Sequence, residues 1–150
     1  MILDAHGLRA SLPRGWSGRV FSRGQGVATL HAGDFPLVLA DGEFGDASTG
    51  RMPDPGCFIA LTEYRPGAGL EPGRGLFAPR RPPLPLDPTA FASTKLAHPR
   101  AGQRGVQHFF TTEGRPFCLY VVVSGALQSR RARLHAADAL LRSLHIAPRA

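Results

Sequence analysis

The sequence predicts a single α+β domain over residues 1–150, with an antiparallel β-sheet packed by a C-terminal α-helix. Three observations carry that expectation. Two apolar segments, Val106–Thr111 and Pro116–Val123, are joined by Thr112-Glu113-Gly114-Arg115. Glu113-Gly114 suits a tight hairpin turn, because glycine supplies the positive φ that the turn requires. In the second segment Phe117, Leu119, Val121 and Val123 share one face, while Cys118, Tyr120 and Val122 share the other. A strand apolar on both faces belongs inside a sheet that is covered on both sides. Finally, Leu127, Leu134, Ala137, Leu141 and Leu144 recur at helical steps, which predicts a helix over Leu127–Ser143 with one apolar stripe.

The remaining elements follow in chain order. Leu8, Ala10 and Leu12 alternate with Arg9 and Ser11 as a half-buried strand, and Pro13-Arg14-Gly15 makes a turn. Trp16–Phe21 is the next strand, with Trp16 as a core or hairpin anchor. Arg23-Gly24-Gln25-Gly26 is a turn and not a phosphate cradle, because no Lys-Ser/Thr pair or helix follows it. Val27–Ala32 and Cys57–Tyr64 are strands. In the second, Phe58, Ala60 and Thr62 face opposite to Ile59, Leu61 and Glu63. Between them, Asp41-Gly42-Glu43-Phe44-Gly45-Asp46 sets three carboxylates around glycines. Hard cations bind such turns, but the spacing is not that of an EF-hand and no Glu closes it. A solvated acidic loop is expected, and no metal or cofactor is assigned.

A Pro-rich crossover occupies about residues 65–88, with Arg80-Arg81 ahead of Pro82-Pro83-Leu84-Pro85. That run favours polyproline II. Asp87-Pro88 fits an N-cap followed by a first helical residue, so Pro88–Leu96 is expected as a short helix ending at His98-Pro99. The expected core includes Trp16, Phe110, Leu119, Val121, Leu134 and Leu141.

Composition narrows the class. A chain of 150 residues has the length of one domain. Such a chain buries about 68–70% of its unfolded surface, enough for a core without staples. No apolar run is long enough to span a membrane, so no membrane insertion is expected. Met1-Ile2-Leu3-Asp4 lacks the basic start and apolar run of a secretory signal, and a cytoplasmic location is expected. Cys57 and Cys118 have no second ligand at metal spacing, and reduced buried thiols are the default there.

Net charge is +7, and it is segregated. Residues 34–63 carry −5, while residues 64–150 carry +9. A basic chain invites a nucleic-acid reading. Yet 17 of its 18 basic residues are Arg, a bias that matches a GC-rich bacterial coding sequence as well as it does a function. Arg130, Arg131 and Arg133 occupy the early turns of the last helix, where cations oppose the helix dipole. With Arg80 and Arg81 they form the candidate anion-binding set.

Catalytic signals are sparse. No His-Glu-x-x-His pattern and no Gly-x-Ser-x-Gly elbow occurs. His108 and Cys118 lie on opposite arms of the predicted hairpin. Pairing Phe109 with Cys118 puts the two side chains on opposite faces, and a register shifted by one puts them on the same face. A thiol–imidazole pair depends on that register.

Leu12-Pro13-Arg14-Gly15-Trp16 after a first strand, and a final helix running into Leu141-Arg142-Ser143-Leu144-His145-Ile146, resemble the Mog1/PsbP-like group of α/β/α sandwiches. There an "LP-x-G-W" turn opens the sheet and a short "S-L/F-x-I/F" tail ends the last helix. The resemblance implies binding to another protein without catalysis, as in a nuclear-transport cofactor, a photosystem subunit or secretion-effector chaperones. It carries over no specific binding residue. Three function classes therefore stand: a cytoplasmic protein-interaction module of adaptor or chaperone type, an anion or nucleic-acid binder, and a Cys/His hydrolase.

Overall fold

The structure, a computed structural model, describes residues 1–67 and 70–149. Ala68 and Gly69 of the expected crossover, and Ala150 at the end of the expected domain, lie outside the described residues. The chain runs β1 (Ile2–Ala5), β2 (Leu8–Ser11), β3 (Ser17–Ser22), β4 (Ala28–Gly33), α1 (Asp46–Gly50), β5 (Gly56–Glu63), β6 (Gln103–Thr112), β7 (Arg115–Ser124), α2 (Leu127–Ser143) and β8 (His145–Ile146). All pairings are antiparallel. The large sheet has the order β3-β4-β5-β7-β6 and the small one β1-β2-β8.

Two turns of one kind fix the registers. Glu113 and Gly114 have φ of 55° and 71°, and His6 and Gly7 have 52° and 78°. Two successive left-handed residues make the two-residue turn whose twist suits a hairpin. The first turn pairs Thr112 with Arg115 and therefore Phe109 with Cys118 and His108 with Leu119. Gly7 is favoured on a second count, because a Cβ there would press on the buried Arg115 guanidinium.

One core lies on the α2 side of the large sheet. Ile59, Leu119 and Val121 from that sheet meet Leu8 and Ala10 of the small sheet and Leu134, Ala137, Leu140 and Leu141 of α2. Each such large aliphatic side chain contributes about 1.5–3 kcal/mol when taken fully out of water. The opposite face carries a smaller core of Phe35, Phe58, Leu96, Tyr120 and Val122, covered by Leu37, Phe44 and Met52. β7 is thus an inner strand buried on both faces, as its two-sided apolar pattern requires. The two chain ends meet: β8 pairs with β2, and the Ser11 amide donates to Ser143 Oγ at 2.8 Å.

Several expectations are corrected. The helix expected over Pro88–Leu96 is two separate 3-10 turns, Pro88–Ala90 and Ser93–Lys95. Asp87 caps the first by accepting from the Thr89 amide at 2.9 Å. Ala92 then exchanges two backbone hydrogen bonds of 3.0 Å with Gly105 on the edge of β6, so sheet pairing takes the groups a helix would use. Trp16 is half-buried just before β3, an edge strand, rather than in the strand. Leu127 is 39% exposed at the first residue of α2, and Leu140 takes its place in the buried stripe. β1 was hidden by its short, half-exposed pattern.

Candidate functional site

The structure divides the candidate arginines. Arg133 forms an ion pair with Asp34, whose carboxylate also accepts from the Cys57 amide at 3.0 Å. Arg131 is exposed and close enough to Asp87 to help lower its carboxyl, behind the larger effect of the Thr89 hydrogen bonds. Arg130 is half-buried. The three do not present one open cationic face.

Arg80 and Arg81 lie elsewhere, on the rim of an open groove of about 870 Å³. The groove runs between the crossover, the tip of the β6–β7 hairpin and the C-terminal end of α2. Half-buried Leu84 and Leu144 line it, above the core residues Phe110, Leu141 and Ile146, together with Thr111 and Thr112. Arg142, in the last turn of α2, adds a third guanidinium, and Glu113 adds one carboxylate. Arg80, Arg81 and Arg142 are exposed. Among the described residues none of their side chains donates to a protein acceptor or joins an ion pair.

Hydrogen bonds build the groove wall by pinning the crossover. The Thr111 amide donates to the Pro79 carbonyl at 2.8 Å, Thr111 Oγ1 donates to Phe77 O at 2.8 Å, and Thr112 Oγ1 donates to Arg80 O at 2.7 Å. At the other end the buried Asp138 of α2 accepts from the Leu86 amide at 2.8 Å. Thus the segment that carries Arg80 and Arg81 is tied to the hairpin on one side and to α2 on the other.

A second arginine cluster was not anticipated from the sequence. Glu63 is fully buried and Arg115 nearly so. Arg115 Nε and Nη2 donate to the two Glu63 oxygens at 3.0 and 2.9 Å. Arg149 adds bonds of 3.1 and 2.6 Å to Glu63 Oε2, and the Ala28 amide donates to Oε1 at 3.0 Å. Arg115 also donates to the carbonyls of His6 and Ala147. Burial pushes the Glu63 carboxyl up, but the hydrogen bonds from Arg115, Ala28 and Arg149 outweigh it and the net shift is downward. The cluster joins the small sheet and the C-terminal tail to the large sheet. A charged residue inside an apolar strand was the signal available in the sequence, since such a charge needs a partner.

These contacts join part of the acidic segment to part of the basic one. Asp34 pairs with Arg133, Asp46 with Arg100, and Glu63 with Arg115 and Arg149. Three of the six carboxylates in residues 34–63 thus pair with arginines of the basic C-terminal part, and Glu43 pairs with Arg23 nearer the N-terminus.

The thiol pair is not assembled. With Phe109 opposite Cys118, His108 and Cys118 project from opposite faces of the sheet. Burial pushes the Cys118 thiol up to about 12, against a hydrogen bond with Tyr64 that lowers it. A thiol so held is a poor nucleophile. Cys57 and Cys118 are both free and buried; Cys57 pairs with Val123 and Cys118 with Thr62, on opposite faces.

The acidic loop is not simply solvated. Asp41 accepts from the amides of Ala47 and Ser48 at 2.9 Å each and so caps α1. Glu43 pairs with Arg23. Beneath the loop, the buried His31 shares a 2.9 Å hydrogen bond with the Glu43 carbonyl through Nε2, while its Nδ1 and the Thr29 hydroxyl have no partner among the described residues. Desolvation holds His31 below its ordinary value of 6.5 despite the Glu43 bond and nearby Asp41.

No protein-family model matches the chain, and comparisons with curated proteins and with solved structures return no match.

Proposed function

We propose that the protein is a non-catalytic interaction module that takes a segment of another protein in the groove between the crossover, the hairpin tip and the end of α2. One observation carries this reading: an open groove with Leu84 and Leu144 at its surface is rimmed by three arginines that no carboxylate among the described residues pairs. Interfaces combine an apolar centre with arginine-rich surroundings in this way. The Mog1/PsbP-like resemblance agrees with it. Its support is the contact between the two motif-bearing ends, where the strand before Leu12-Pro13-Arg14-Gly15-Trp16 pairs with the tail after Ser143. Two free thiols support the reducing cytoplasm as the proposed location of the module. In α2, diversion of Arg133 to Asp34 weighs against a nucleic-acid face.

A displayed random-peptide library, panned on the folded protein, tests this. Enriched peptides should shift the amide resonances of Leu84, Phe110, Thr112 and Leu144. Enriched peptides that instead shift residues around Phe21 and His98, or no enrichment at all, would sink the groove reading.

A further inference from the structure

We infer that the segment accepted by the groove is acidic, with carboxylates flanking a large apolar side chain; this deepens the groove reading and rests on it. Charge complementarity carries the inference. Five arginines of the chain, Arg23, Arg100, Arg115, Arg133 and Arg149, are each paired with a carboxylate from residues 34–63. Arg80, Arg81 and Arg142 belong to the ten arginines with no carboxylate partner among the described residues, and they are the three that line one groove, where Glu113 is the one carboxylate among the described residues. Guanidinium forks match carboxylates in geometry as well as charge. A basic segment would meet like charges at this rim, and a neutral one would leave them unused.

The groove lining decides between a peptide and a nucleic acid. Leu84 and Leu144, the half-buried apolar side chains of the groove, offer contact for aliphatic or aromatic side chains and no donors for base edges. A duplex also needs a continuous cationic surface. The other arginines of α2 lie in its early turns, and Arg133 among them is taken by Asp34. The open shape argues against an enclosed small-molecule site, because such sites surround most of their ligand. The fit is therefore to an acidic, amphipathic segment of a partner protein.

The test uses three synthetic peptides with the same central Phe and Leu, flanked by Glu, by Gln or by Lys, together with a single-stranded oligonucleotide and dodecanoate. Wild-type protein should bind in the order Glu, Gln, Lys, and the preference for Glu should shrink at high salt. Replacing Arg80, Arg81 and Arg142 together with Gln should weaken the Glu peptide by about tenfold and leave the Gln peptide little changed. A thermal melt of the triple variant distinguishes lost charge from lost fold, since all three side chains are exposed. Groove resonances that shift with the Gln or Lys peptide, without any preference for Glu, would overturn the acidic partner and leave the groove reading standing. Absence of groove shifts with all three peptides would overturn both. Tighter binding of the oligonucleotide or of dodecanoate than of the Glu peptide would also overturn the inference.

Discussion

Arginine does two different jobs in this protein, and the contrast lies in what surrounds it. Arg115 is 3% exposed, with a bidentate carboxylate and two backbone carbonyls as partners. Arg80, Arg81 and Arg142 are exposed around an open groove and have no such partners among the described residues. A buried charge must be satisfied within the fold or the fold fails. An exposed one costs little to keep, and its interaction energy remains open to a ligand. The same residue type therefore marks a structural joint in one place and an open, exposed rim in the other.

The contrast breaks most sharply at Glu63. Glu63→Ala leaves Arg115 buried without its carboxylate, and urea unfolding should show a loss of about 3–5 kcal/mol. A loss under about 1 kcal/mol, within the range of ordinary surface changes, would mean that Arg115 finds water and that the joint is not structural.

Packing sets the next scale. Leu134→Ala should cost about 2–5 kcal/mol, from lost burial and the cavity left behind. Leu127→Ala, at the exposed start of the same helix, should stay within about 0.5 kcal/mol of wild type. Equal losses would mean that α2 docks along its whole length.

Asp138 links the two regions, since it holds the segment that presents Arg80 and Arg81. Asp138→Ala leaves the Leu86 amide without its acceptor and should cost about 1–3 kcal/mol. Hydrogen exchange at Leu86 should quicken as well; unchanged exchange would show that the amide is protected by something else.

Acid should weaken the fold in two steps. His31 and His108 titrate below their ordinary 6.5 when folded, so the unfolded chain takes up those protons first. Their contribution is complete above about 6.5 and falls as pH drops below it. Glu63 and Asp41 are likewise lowered, so they stabilise the fold above the ordinary carboxyl range and lose that effect as pH falls through their folded values. Urea midpoints measured against pH should show both limbs. His31→Gln should flatten the upper limb, and a variant that tracks wild type would assign that limb to His108.

The smallest effect on stability belongs to the free arginines. Replacing Arg80, Arg81 and Arg142 with Gln should change unfolding free energy by no more than about 0.5 kcal/mol. A larger loss would show that the rim carries structural contacts, and the contrast with Arg115 would narrow.

Local patterns made much of the fold legible. The β6–β7 hairpin, its two-residue turn and the span of α2 follow from alternation, Glu113-Gly114 and helical spacing, all of them properties of neighbouring residues. Those signals act over a few residues, so they survive without knowledge of the fold. Pro88–Leu96 misled for the converse reason. Its capping signal was sound, as Asp87 does cap, but Gly105 on a distant strand competes for the Ala92 backbone.

The site divides in the same way. Arg80 and Arg81 were visible as a basic pair ahead of prolines, whereas Arg142 looked like one more polar residue on a helix. Nothing within either segment says that they share a groove. That is decided by Thr111, Thr112 and Asp138, which hold the crossover against the hairpin and the helix.

By itself the sequence determined which strands are buried, where the hairpin turns and which helical face is apolar, because backbone conformation and amphipathic period are encoded locally. Only the tertiary structure decided which arginines are bound and which are free. An ion pair depends on distance in space, and Glu63 lies 52 residues from Arg115 and 86 from Arg149 along the chain.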